Sequence, residues 1–178
     1  DLITLDPAEV FEFTGGEVIA NVYDRVMMFE AEDLSKLVGG VAESYKVSGD
    51  GKTIVFKVRG GQKFHSGNPV TAYDMAFSLR RVVKMKKTPS FILTQFGWNK
   101  NNVDGLIKPV DGTHVSVTMM ADFSPGLLLN ALSAGVGSVV DMKEVMKHES
   151  DGDLGYGWLK NHSAGSGPYR LQTWKATE

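Results

Sequence analysis

Two runs of alternating side chains flank a five-residue turn, and this arrangement constrains the fold more than any other part of the chain. Val41-Ala42-Glu43-Ser44-Tyr45-Lys46-Val47 leads into Ser48-Gly49-Asp50-Gly51-Lys52, after which Thr53 to Arg59 alternates again with Ile54, Phe56 and Val58 on one side. Residues two apart share a face of a strand, so the segment predicts a β-hairpin with an apolar face that needs a cover. The cover is predicted a few residues on. Thr71 with Asp74 makes a capping-box-like helix start with a carboxylate at the positive end of the dipole. Met75, Ala76, Leu79, Val82 and Val83 then recur at helical spacing, Arg80, Arg81, Lys84, Lys86 and Lys87 crowd the last turns, and Pro89 is expected to end the helix. The basic end is able to meet a phosphate, but dipole complementarity already accounts for it.

A second hairpin is predicted over Leu106 to Met119, turning at Val110-Asp111-Gly112-Thr113, with Pro109 suited to an edge or a strand end. Shorter helices are predicted around Pro125 to Ser133 and around Val139 to His148, separated by a break at Gly135 and Gly137. Glycines at 152, 155, 157, 165 and 167 give the following segment a loop character. Hairpins alternating with single helices predict an α+β fold, a mixed sheet covered on one face, rather than repeated βαβ units.

With 178 residues there is room for one ordinary domain or for a lobe of something larger. A net charge of −2 gives no field to gather nucleic acid or anionic membrane, which argues against a nucleic-acid partner. The absence of cysteine removes disulfides, thiolate metal sites and cysteine nucleophiles, and fits both the cytosol and an oxidising compartment. No apolar run approaches the roughly twenty residues that span a bilayer. The chain starts at Asp1 without methionine, as a trimmed or mature form would.

Motifs for chemistry are sparse. The histidines at 65, 114, 148 and 162 show no pair at the i, i+4 spacing of a zinc hydrolase, and no serine sits in a Gly-x-Ser-x-Gly elbow. Glu149-Ser150-Asp151-Gly152-Asp153 opens like a calcium loop, but Leu154 replaces the turn glycine and Lys160 the closing glutamate, so a solvated acidic loop is expected. Gly165-Ser166-Gly167-Pro168 and Gly15-Gly16 read as turn chemistry. Phe11-Glu12-Phe13, placed directly before Thr14-Gly15-Gly16, reads either as a core strand or as an apolar wall with main-chain groups open to a small solute. Phe91 and Trp98, in the loop after the helix, carry the same two readings.

The order of the motifs carries a resemblance. Leu5-Asp6-Pro7, Val22-Tyr23-Asp24-Arg25-Val26, the run from Val41 through the turn to Thr53, Phe56-Lys57-Val58-Arg59-Gly60-Gly61-Gln62-Lys63-Phe64-His65-Ser66-Gly67-Asn68-Pro69-Val70-Thr71-Ala72-Tyr73-Asp74, and Gly165-Ser166-Gly167-Pro168-Tyr169-Arg170-Leu171 follow one another as in one family. The chain resembles the oligopeptide/dipeptide-type solute-binding proteins of ATP-binding-cassette importers, family 5 of the extracellular solute-binding proteins. The likeness runs along essentially the whole chain and is most specific from Glu43 to Asp74. Val38-Gly39-Gly40-Val41 departs from the usual proline-then-leucine approach, and Tyr45 and Tyr73 stand where tryptophan and glutamate are common.

The resemblance implies the N-terminal lobe portion of a bilobal periplasmic-binding-protein-like fold, including the small extra domain of the peptide-binding class. Residues 1–23 and 142–178 would belong to the first lobe and residues 24–141 to the extra domain, with the second lobe outside this chain. It implies a binding protein rather than an enzyme, with no catalytic residue, cofactor or metal. The implied partners are a peptide or related small solute, the second lobe and a cognate membrane permease, in the periplasm or on the outer face of the cell membrane, with or without a lipid anchor. Nickel complexes, haem, sugars and opines are also ligands within the family. A ligand-sensing or interaction module of a larger receptor with the same fold is the alternative. The segment after the Asp-Pro motif lines the cleft in relatives, which puts Phe11, Glu12, Phe13 and Thr14 at the ligand in a strand-addition mode, and Phe91 and Trp98 beside it in the extra-domain loop.

Overall fold

The computed structural model of the protein describes residues 2–175. In chain order the elements are α1 (Phe13–Val22), β1 (Met27–Phe29), β2 (Leu37–Gly39), β3 (Ala42–Val47), β4 (Thr53–Val58), α2 (Ala72–Met85), α3 (Phe91–Thr94), α4 (Val103–Leu106), β5 (Ile107–Pro109), β6 (His114–Thr118), α5 (Pro125–Ala131), α6 (Met142–Lys147) and α7 (Tyr156–Leu159).

Both expected hairpins form, and they pair with each other into one antiparallel sheet of order β3-β4-β6-β5. Phe56 lies opposite Tyr45 on one side and Val115 on the other, so the register places Ile54, Phe56, Val58, Val115, Val117 and Ile107 together in the interior. The first turn closes because Asp50 accepts the Lys52 amide at 3.0 Å and Ser48 Oγ accepts the Thr53 amide at 3.0 Å, with Gly51 at φ 71°. At the second, Asp111 accepts the amides of Thr113 and His114 at 2.7 and 2.8 Å, bonds that hold its carboxyl well below the usual range. Pro109 ends the edge strand, where no ladder amide is needed.

Helix α2 lies over the apolar face and buries Met75, Leu79, Val82 and Val83 against it. Asp74 secures its start: Oδ2 accepts from the Thr71 amide (2.9 Å) and hydroxyl (2.6 Å), and Oδ1 accepts the Met142 amide at 2.9 Å. The end differs from expectation. The helix stops at Lys86, which adopts the left-handed conformation at φ 54° and donates its amide to Val82, whereas Pro89 sits one turn further on in a 3₁₀ turn, Thr88–Ser90.

A larger correction lies near the start. Phe11-Glu12-Phe13 is no strand: Glu12 is the N-cap of α1, and Gly15, Ile19 and Val22 recur three and four apart on its buried face. Gly15 and Gly16 are poor helix formers and conceal this periodicity in the sequence. The short helix α7 likewise occupies part of the segment expected to be loop.

Two apolar clusters make up the interior. The larger one joins the sheet, α2, α5 and residues from Val26 to Val139, with Ala8. The smaller one joins Val10, Ile19, Val22 and Tyr23 to Val140, Val145, Leu159 and Ala164. The chain passes between them at two adjacent points held by the Arg25 to Ser138 bridge, with the Val139 amide donating to Asp24 at 3.0 Å. The turn from Gln62 to Asn68 clamps both passages. Asp24 accepts from Gln62 and Ser166, and the buried Asp141 accepts from Ser66 and Asn68.

An ion pair ties the first residues to α2. Arg81 Nη1 and Nη2 donate to the two oxygens of Asp6, both at 2.6 Å, and the side chains are 2% and 0% exposed. Arg81 Nε donates to the Leu154 carbonyl at 2.8 Å, and Asp6 also accepts the Ala8 amide at 2.9 Å.

Tyr23 lies in the smaller cluster, its hydroxyl accepting the Ala164 amide at 3.1 Å, and burial pushes its pKa up to about 12. Below pH 10 the phenol is protonated folded or unfolded. Between about pH 10 and 12 only the unfolded chain releases the proton, so stability falls by about 1.4 kcal/mol per pH unit, roughly 2–3 kcal/mol in all. The stability difference between wild type and Tyr23→Phe is expected to shrink by that amount as urea unfolding is followed from pH 9.5 to about 12; parallel pH profiles would refute the assignment.

Candidate functional site

An exposed phenylalanine forgoes the free energy of burial, and three of them, two lining one hollow and the third lining the next, form an apolar patch that a partner can cover. Phe11, Phe13 and Phe91 are 58%, 97% and 56% exposed. The turn from the Asp-Pro segment into α1 positions the first two, and the turn after α2 positions the third. Phe11 and Phe91, eighty residues apart in sequence, meet edge to face with ring centroids 5.7 Å apart at 87°. They separate two hollows. One, of about 450 Å³, is lined by Phe11, Glu12, Phe13, Glu17 and Arg25 among others. Its neighbour, of about 610 Å³, has Phe91 in its wall.

The polar groups of the first hollow are unequal in freedom. Glu12 folds back so that Oε2 accepts the Phe11 amide at 3.1 Å, while Oε1 is buried without a partner over Gly15, where any Cβ would collide with it. Arg25 donates to the Ser133 carbonyl at 2.9 Å, and burial lowers its pKa from the ordinary guanidinium value. In an α-helix the first-turn amides have no helical acceptor, which leaves those of Phe13, Thr14 and Gly15 to other partners. The local geometry is therefore a helix start flanked by aromatics, and the strand-addition expectation for this segment does not hold, because the backbone from Phe13 onward is helical.

The other expected residues divide. Thr14 is exposed on the first turn of α1. Phe91 opens α3 and joins Phe11 as described. Trp98 corrects the expectation of a cleft-facing ring: it is 2% exposed, packs on Phe96 with centroids 5.3 Å apart, and donates Nε1–H to the Thr118 carbonyl at 2.7 Å. It closes the floor of the second hollow from the core side. Arg25 and Glu17 have no counterpart among the expected site residues, since nothing in their local sequence indicates which way their side chains turn. A third hollow, of about 380 Å³, lies between His65, Trp158, His162 and residues 170–175. Trp158 there stacks between His148 and His162, with centroids at 4.3 and 4.7 Å. Among the described residues no group of three His, Asp or Glu side chains is placed to hold a metal, and no helix is long and apolar enough to cross a membrane.

The fold is that of the peptide-binding periplasmic binding proteins. The substrate-binding domain of an oligopeptide ABC transporter from Bacillus anthracis str. Ames superposes with a TM-score of 0.79 at 21% identity, over 98% of this chain and 34% of that one. Haemophilus influenzae OppA, solved in complex with the peptide RPPGFSPFR, gives 0.78 at 24% identity, over 97% and 34%. Residues 36–178 match the family model described as bacterial extracellular solute-binding proteins, family 5 Middle, and the chain belongs to that family of binding proteins. It is 27% identical over 175 residues to the probable D,D-dipeptide-binding periplasmic protein DdpA of Escherichia coli K12, covering 97% of this chain and 32% of that protein. It is 29% identical over 175 residues to the glutathione-binding protein GsiB of Escherichia coli O157:H7, covering 98% and 31%. The chain thus spans about a third of the length of the curated relatives it matches.

Proposed function

We propose that this chain is the N-terminal portion of an extracytoplasmic solute-binding protein serving an ABC importer, and that it supplies one wall of a cleft for a peptide or related small solute. The observation that carries this reading is the edge-to-face contact of exposed Phe11 with exposed Phe91, beside exposed Phe13, between two adjoining hollows. The relatives are consistent with the ligand class, since DdpA is named for a dipeptide and GsiB for glutathione. Residues 1–23 and 142–178 belong to the cleft-bearing lobe and residues 24–141 to an accessory domain, a division supported by the composition of the two apolar clusters. A second lobe closes over the solute, and the ligand stabilises the closed state through contacts made only there. The closed form is the one that docks on the permease in the membrane.

Phe13 separates binding from folding. Because the ring is 97% exposed, Phe13→Ala should change stability by less than about 0.5 kcal/mol. An aromatic anchor in a closed cleft is worth about 1.5–3 kcal/mol, so the same change in the full-length protein should weaken peptide affinity roughly ten- to a hundredfold. Native mass spectrometry of protein purified without refolding, followed by calorimetric titration with the peptide it carries, tests this. Unchanged affinity in Phe13→Ala would remove the trio from the cleft.

A further inference from the structure

The hollow behind Phe91 has an unbalanced wall. Lys84, Lys86, Lys87 and Lys100 line it, and no Asp or Glu does. Two of the four are committed elsewhere: Lys84 Nζ lies 2.7 Å from Asp104, and Lys87 Nζ lies 3.6 Å from Glu9 and 3.9 Å from the centre of the Tyr156 ring. Lys86 and Lys100 have no carboxylate partner among the described residues. Asp153, in the adjoining hollow that shares Lys84, Lys87 and Lys100, is occupied by the amides of Ser150, Gly155 and Gly157 at 3.1, 2.7 and 2.8 Å.

Helix-dipole complementarity explains Lys84, Lys86 and Lys87, which stand at the end of α2. It does not explain Lys100. That residue comes from a separate turn fixed by asparagines, in which Asn99 accepts the Asn101 amide at 2.9 Å, Asn102 accepts the Asn99 amide at 2.8 Å, and Asn102 donates to the Gly97 carbonyl at 2.9 Å. Bringing a further cation to a wall that already holds the unpaired Lys86 costs repulsion that a bound anion relieves. Trp98 makes the floor apolar, and Phe91 joins this hollow to Phe11 at the rim of the solute cleft.

Resting on the solute-cleft reading, we infer that the solute carries a carboxylate received by Lys86 and Lys100 while its apolar part lies on Phe11 and Phe91. The carboxylate belongs either to an acidic side chain or to the C-terminus of a peptide. Cationic peptides are excluded by the same charges.

Four tripeptides test this against the full-length protein: Ala-Phe-Ala as free acid, Ala-Phe-Ala amide, Glu-Phe-Ala amide and Lys-Phe-Ala amide, offered as an equimolar mixture and read by the masses retained. The expected result is at least tenfold enrichment of the free acid or the glutamyl amide over the neutral amide, with the lysyl amide depleted. Which of the two is enriched identifies the source of the carboxylate. In Lys86→Gln/Lys100→Gln, whose positions are exposed and whose melting temperature should match wild type, that preference should vanish. Equal retention of all four peptides, or a preference that survives in the double variant, overturns the inference and leaves the cleft reading standing. If none is retained, the peptide reading falls, and a citrate titration decides the anion site alone. Amide shifts at Lys86 and Lys100 that are lost in the double variant keep it, and no shifts overturn it.

Discussion

Asp6→Ala is expected to bring the protein close to its unfolding limit, with a loss of about 3–5 kcal/mol, because the change leaves the Arg81 guanidinium buried without a counter-charge. A domain of this size holds only about 5–15 kcal/mol in total. The loss should appear as a lower urea midpoint at unchanged slope. The double variant Asp6→Ala/Arg81→Met should recover part of it, since the cost comes from the stranded charge rather than from the missing attraction. An Asp6→Ala unfolding free energy within about 1 kcal/mol of wild type would mean that water reaches Arg81 and that the N-terminal segment is not anchored through it.

The second large effect concerns two glycines that look alike in sequence. At Gly165 a Cβ would fall 1.9 Å from the Val22 carbonyl oxygen, a backbone atom with no rotamer to escape into. Gly165→Ala must push the segment around Gly165 off Val22. That strains the bonds from the Gly167 amide to Val22 and from the His65 amide to Gly165, and the cost should exceed about 4 kcal/mol. At Gly16, inside α1, a Cβ meets nothing within 4 Å. Gly16→Ala should therefore stabilise the protein by about 0.5–1 kcal/mol. Opposite signs in paired thermal melts are the expected result. A neutral Gly165→Ala would show that the close approach at Val22 relaxes freely.

What was legible beforehand follows the range of the forces involved. The hairpins and the capped start of α2 depend on residues two to five apart, and alternation, turn residues and the Thr71–Asp74 pair state them locally. Helix α1 was hidden because two glycines interrupt its periodicity and Phe11-Glu12-Phe13 mimics a strand. The Asp6–Arg81 pair spans 75 residues, and a basic helix end already had a sufficient local explanation. Trp98 misled for a related reason. Its neighbours Asn99, Lys100, Asn101 and Asn102 signal a surface turn, yet its indole finds an acceptor in Thr118 and turns inward. Phe11 and Phe91 were named through resemblance, but no sequence pattern specifies that they touch.

The Arg25 to Ser138 bridge has an evolutionary consequence. Residues 26–137 enter and leave through that one strand pair, yet the segment is also held to the rest of the molecule elsewhere: Arg81 pairs with Asp6, Asp74 accepts the Met142 amide, and Ser66 and Asn68 donate to Asp141. A longer or shorter turn inside it costs little entropy, because the ends are already held together. Loss of the whole segment would strand the buried Asp6 carboxylate, so variation between lineages is expected in its exposed turns rather than in its removal.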